Sequence, residues 1–158
     1  MNCQGVITDE RIIIIAEGLK GMNNAAVELI RKQDYDEAEK MFESAESTCR
    51  IFQYNEGIGM IRTSMANLSV IRGNIAEALT HIEVAIESYP QCKEKDEACA
   101  LCRKLALIAL DIGMKKENAG DLAGALELFE RTLPHLNEKR AVPVANEIRK
   151  IKAHLGRA

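Results

Sequence analysis

The chain has no tryptophan, only three prolines and an aromatic content of 4%. So few rings argue against a stacking platform for single-stranded nucleic acid. The scarcity of proline leaves long stretches free to be helical, and abundant Ala, Leu, Ile, Glu and Lys favour helix over strand. Neither charge sign dominates. The formal net charge of −3 over 158 residues gives no general attraction to nucleic acid or anionic membranes. No apolar stretch approaches the roughly 20 residues of a membrane span, the longest obvious run being Ile12 to Ala16. Met1 to Glu10 lacks the basic segment and apolar run of a secretory leader. A cytoplasmic protein with no membrane partner and with reduced thiols is therefore expected, despite five cysteines.

The usual signatures of chemistry are missing too. His81, His135 and His154 lie far apart and in no HExxH-type spacing. Cys99 and Cys102 fall one helical turn apart with Cys92 nearby, but further ligands are lacking, so they read as small core residues. Gly57-Ile58-Gly59 has no third spaced glycine and no preceding strand. No catalytic residue, metal or cofactor is expected, and the chain does not read as an enzyme.

What the sequence does contain is repetition. Gln33-Asp34-Tyr35-Asp36-Glu37-Ala38, Arg72-Gly73-Asn74-Ile75-Ala76-Glu77-Ala78 and Ala119-Gly120-Asp121-Leu122-Ala123-Gly124-Ala125 each open with a small or polar turn and reach an alanine. A large apolar residue follows four places later: Phe42, Ile82 or Phe129. Apolar residues at helical spacing flank each turn. They predict helices from the Thr8-Asp9 cap to Lys32, Tyr35 to Gln53, Ile58 to Arg72, Ile75 to Ser88 and Lys93 or Asp96 to Asn118. A sixth runs from Leu122 to Leu136 and should end or kink at Pro134. A seventh runs from Val142-Pro143 to Leu155, with proline in its first turn. Gly18 and Gly21 either break the first helix or allow close packing. The expected fold is all-α: a right-handed superhelical stack of antiparallel helix pairs in one domain, 1–158, with repeats at about 9–53, 57–90 and 93–137 and a capping helix at 142–155.

These residues resemble the tetratricopeptide repeat family. Its small, turn, aromatic and large apolar positions match Ala26, Asp34, Tyr35, Ala38, Phe42 and Ala45. In the second repeat they match Ala66, Gly73, Asn74, Ala78, Ile82, Ala85 and Pro90. In the third they match Gly113, Gly120, Asp121, Ala125 and Phe129. Ala38 and Ala78 are 40 residues apart, and Ala78 and Ala125 are 47, against about 34 in the usual repeat. The 40-residue spacing is similar to the longer subclass of kinesin light chains and cell-polarity scaffolds.

The resemblance implies a concave groove lined by the first helix of each pair. Mapped onto this chain, the groove takes Lys20, Asn23, Asn24, Val27, Ile30 and Arg31 from the first repeat, and Met60, Thr63, Ser64, Asn67, Val70 and Ile71 from the second. The third supplies Leu107, Leu110, Asp111, Met114, Glu117 and Asn118. Asn amides can pair with both N–H and C=O of an extended peptide, and methionine adapts to apolar partners. Members that grip chaperone tails use a basic cluster here, but only Lys20 and Arg31 are basic, and both lie in the first repeat. The expected function is a non-catalytic module binding a peptide or helix of a partner protein. Two alternatives are carried. One is self-assembly through the Ile12–Ile15 run. The other, weaker, is nucleic-acid contact through Arg149, Lys150 and Lys152.

Overall fold

The computed structural model describes residues 10–156, with side chains from Ile13 onward. Thr8, the Ile12 side chain and Arg157 lie outside the described residues. Among those described there are seven α-helices and no strand: α1 Glu10–Arg31, α2 Tyr35–Ile51, α3 Asn55–Ile71, α4 Ile75–Ser88, α5 Lys93–Asn118, α6 Leu122–Thr132 and α7 Glu138–His154. A 3₁₀ turn at Leu133–His135 follows α6, where Pro134 prevents the α-helix from continuing. The chain divides into two compact units within α5, one ending at Cys99 and the other beginning at Ala100.

Four of the turns between helices share one geometry. After α1, α2, α3 and α5 a single residue takes positive φ: Gln33 (63°), Gln53 (54°), Gly73 (78°) and Gly120 (85°). The next residue's N–H then reaches back to a carbonyl near the helix end. Asp34 donates to Leu29 at 2.9 Å, and Tyr54 to Cys49, Asn74 to Ser69 and Asp121 to Lys116 at 2.8 Å each. This double closure satisfies carbonyls that a helix end leaves without partners. The following helix is then capped where a side chain permits. Asn74 accepts from the Glu77 N–H at 3.2 Å, and Asp121 from that of Gly124 at 3.0 Å. The α4–α5 connection differs, since Tyr89 precedes Pro90 and is held extended at ψ 138°.

In the first unit α1 packs on α2, α2 on α3 and α3 on α4. The small residues Ala26, Ala38 and Ala45 are fully buried among Leu19, Phe42, Ile58, Ile61 and Leu68. Small side chains let helix backbones approach, and the large residue between them fills what would be void. The second unit buries Ala125, Leu126, Phe129, Val144, Ile148 and Ile151. A Cβ on Gly113 would lie 2.7 Å from the Phe129 ring, so glycine there is a packing requirement.

Three expectations need adjustment. First, α1 is continuous through Gly18 and Gly21, and nothing lies within 4 Å of either Cβ position, so they neither break the helix nor admit a neighbour. Second, α3 starts at Asn55 and not at Ile58, because the turn is complete at Tyr54. Gly57 therefore sits in the first helical turn, where a Cβ would meet the Tyr54 ring at 2.6 Å. Third, α7 starts at Glu138, four residues before the expected Val142. The Asn137 side chain accepts from the Arg140 N–H at 3.0 Å and caps the helix there. Pro143 is accommodated in the second turn, where it removes one backbone donor.

The positive-φ turns make opposite predictions at two positions. Gln33→Gly should stabilise the chain by up to about 1 kcal/mol, as relief of left-handed strain outweighs the added unfolded-state entropy. Gly120→Ala should destabilise it by about 1 kcal/mol from backbone strain alone, since the Cβ would enter open space. Urea midpoints of the two variants check both signs.

Candidate functional site

In the first unit α1 touches α3, and the expected groove residues lie on these two helices. The Ser64 hydroxyl donates to Asn23 Oδ1 at 2.7 Å, a direct tie between the two helices. Asn24 and Asn67 are exposed, and Val27 is half-buried. Ile30 and Met60 are half-buried against the core, so they contribute to packing as well as to this face. Thr63 is engaged from behind. Its hydroxyl donates to the Gly59 carbonyl at 2.9 Å, and it also hydrogen-bonds Tyr89. The Tyr89 ring packs where a Cβ on Gly59 would sit, and burial pushes its hydroxyl pKa up.

In the second unit Leu110, Met114, Glu117 and Asn118 from α5 line a cavity of about 720 Å³ together with residues of α6 and α7. Its other walls are Phe129, Asn137, Lys139, Arg140, Pro143, Val144 and Glu147. Met114 is 46% exposed, a large apolar side chain open to solvent. Asp111 does not line this cavity; it is exposed and pairs with Lys115 at 2.9 Å. Leu107 lines a smaller neighbouring cavity of about 170 Å³ with Arg103, His135, Leu136, Asn137 and Arg140. The α7 wall was not expected from the sequence, which marked this helix only as a basic cap. Its signal was nonetheless present, since Arg140, Val144 and Glu147 recur at one-face helical spacing.

Glu117 and Glu147 bring two carboxyl groups together. The Glu117 pKa is raised above its ordinary value by its hydrogen bond to Glu147, then by desolvation and by that neighbour's charge, with Lys150 acting in the opposite direction. An acid whose pKa is raised on folding favours the folded state most at low pH, and the contribution is lost as pH rises through the folded-state value. Glu117→Gln should therefore flatten the decline in melting temperature from about pH 4 to pH 7. At neutral pH it should add less than about 1 kcal/mol, the range of exposed charge pairs. Thermal melts across that range test this.

A polar network in the first unit was also not foreseen. Arg62 makes a two-pronged ion pair with Glu46, one arm being Nη2 to Oε2 at 3.1 Å. Its Nη1 donates to His81 Nδ1 at 2.8 Å. A guanidinium only donates, so Nδ1 must offer a lone pair and the ring proton sits on Nε2, which faces Glu77 Oε1 at 3.4 Å. Arg62 and Glu46 are both mostly buried. Arg62→Ala leaves the mostly buried Glu46 carboxylate to Arg50 at 3.6 Å and should cost about 2–3 kcal/mol, whereas Arg62→Met paired with Glu46→Leu should cost less. Chemical denaturation of the single and double variants separates these outcomes.

Cys49, Cys99 and Cys102 are not disulfide-bonded. Cys92 is disulfide-bonded, which corrects the expectation of reduced thiols at that residue. Burial pushes the Cys49 thiol up to about 11, the behaviour of a core residue and not of a nucleophile. Among the described residues no group of three or more His, Cys, Asp or Glu is placed to hold a metal ion, and no helix is long and apolar enough to cross a membrane. No protein-family model matches the chain, and no curated protein matches it.

Proposed function

We propose that this chain is a tetratricopeptide-like α-solenoid of the longer-repeat kind, and that it is a non-catalytic module binding a peptide segment or helix of another protein. The observation that carries the reading is the cavity of the second unit. Four positions assigned to a ligand-facing groove by the repeat pattern, Leu110, Met114, Glu117 and Asn118, line it. Its apolar body with a few polar groups at the edges suits side-chain capture. In the first unit the exposed Asn24 and Asn67, beside the Asn23–Ser64 tie, supply amides suited to a peptide backbone. The absence of any cofactor belongs to the same reading, as does a cytoplasmic location, against which the Cys92 disulfide counts.

Affinity capture from native lysate with mass spectrometry tests it. The wild type runs beside a variant carrying Asn24→Ala, Asn67→Ala and Met114→Ala, three exposed positions whose loss leaves the cores intact. A partner held by the wild type should be depleted by about fivefold or more with the variant, the effect of roughly 1 kcal/mol of lost contact. Equal capture, with both proteins folded, overturns the groove reading.

A second reading rests on Ile14, which is 70% exposed, beside Ile13 at 42%. Two such residues on α1 favour self-association. A molar mass by light scattering that rises with concentration, and no longer does so in Ile14→Lys, would support it. The nucleic-acid reading has no such observation, since Lys150 pairs with Glu147 at 3.5 Å and Lys152 with Glu130 at 2.7 Å.

A further inference from the structure

The cavity of the second unit is polarised along its length. On α7, Arg140, Val144 and Glu147 fall on one face, so a basic, an apolar and an acidic side chain follow one another along the wall. On α5, Leu110, Met114 and Glu117 run apolar, apolar, acidic. Arg140 also lines the smaller cavity with Arg103 and Leu107, which come earlier on α5. The basic end of the cavity therefore lies toward the start of both helices, and Glu117 and Glu147 close the other end. Seven residues of helix separate Arg140 from Glu147, about 10.5 Å along the axis.

The acidic end is short of cationic partners. Glu117 and Glu147 both line it, and Lys150 reaches Glu147 at 3.5 Å from an exposed position. The hydrogen bond between the two carboxyl groups needs a shared proton, and an incoming cation would displace that proton and pair with both carboxylates. At the opposite end Lys139 and Arg140 are both exposed. The wall between them is apolar, with Met114 open to solvent and Phe129 behind it.

We propose that this cavity holds an extended segment of a partner protein bearing an acidic, an apolar and a basic residue at alternate positions. The basic side chain sits between Glu117 and Glu147, the apolar one against Met114 and Val144, and the acidic one at Lys139 and Arg140. In an extended chain, alternate residues share one face, and four residues span about 13 Å. Flexible side chains close the small difference from the spacing of the charged ends. Charge complementarity at both ends fixes the register, and the apolar side chain supplies most of the buried area. The assignment rests on the peptide-binding reading above and specifies the partner's chemistry.

The test uses the full ¹⁵N-labelled chain and otherwise uncharged dodecapeptides containing Asp-Ser-Leu-Ser-Lys or the reverse order, Lys-Ser-Leu-Ser-Asp, so that both chain directions are sampled. One of the two should shift the amide signals of the cavity residues in a saturable way. Replacing its lysine by glutamine should weaken binding by about tenfold or more, the scale of a lost charge-assisted contact. Glu117→Gln with Glu147→Gln in the protein should cause a similar loss for the lysine peptide and none for the glutamine peptide. These protein substitutions keep side-chain shape and relieve like-charge repulsion, so the fold is not at risk. Glu147→Lys should reverse the preference toward a peptide with glutamate in place of lysine. Equal binding of lysine and glutamine peptides at the cavity overturns the charge assignment while leaving the cavity a docking site. Absence of shifts with every peptide also overturns it, and the capture comparison above then decides the wider reading independently.

Discussion

Two α-helices come close only where both surfaces present small side chains, and most of this structure follows from that constraint. Ala26, Ala38 and Ala45 in the first unit and Ala125 in the second are fully buried. Beside them one large residue, Phe42 or Phe129, fills the remaining space. Gly113 takes the same logic to its limit, because the Phe129 ring occupies the place of its missing Cβ. Phe129 in turn forms part of the cavity wall, so the packing that holds α5 to α6 also shapes the surface a ligand would meet.

Electrostatics refine this frame more than they build it. The acid-rich start of α2 looks in isolation like a solvated face, yet Arg72 at the end of α3 reaches two of its carboxylates. It pairs with Glu39 at 2.9 Å and with Asp36 at 2.5 Å, and its guanidinium lies 5.8 Å from the Tyr35 ring centroid. Arg62 anchors Glu46 and fixes the His81 tautomer. Each of these arginines ties α2 to α3, so the charge excess of one helix is balanced locally by the next.

The turns and the helices they separate were legible in the sequence because their causes are local. Gly73 and Gly120 announce positive φ, and Tyr89-Pro90 and Pro134 announce helix ends. Gln33 and Gln53 take the same left-handed conformation without advertising it, since glutamine has no special preference there. The start of α7 was misread because Pro143 looked like a first-turn residue, while the Asn137 cap six residues before it carried the decisive hydrogen bond. The α5 side of the cavity wall was legible, because Leu110, Met114, Glu117 and Asn118 follow from the repeat pattern. Most of the rest comes from α7, whose residues lie outside the repeats. The Arg62–Glu46–His81 network was invisible for a different reason: its members are 16 and 19 residues apart and meet only after the helices have packed.

The shared turn geometry bears on how such a chain can diversify. Each of the four closures is made by backbone atoms alone and asks of its side chains only that one residue tolerate positive φ. The frame is thus written in a handful of turn glycines, buried alanines and large fillers. The exposed residues of α1, α3, α5 and α7 take almost no part in specifying it. Substitution can rewrite the chemistry of those faces while the scaffold stays under separate selection, so two chains with the same helices could present chemically opposite surfaces.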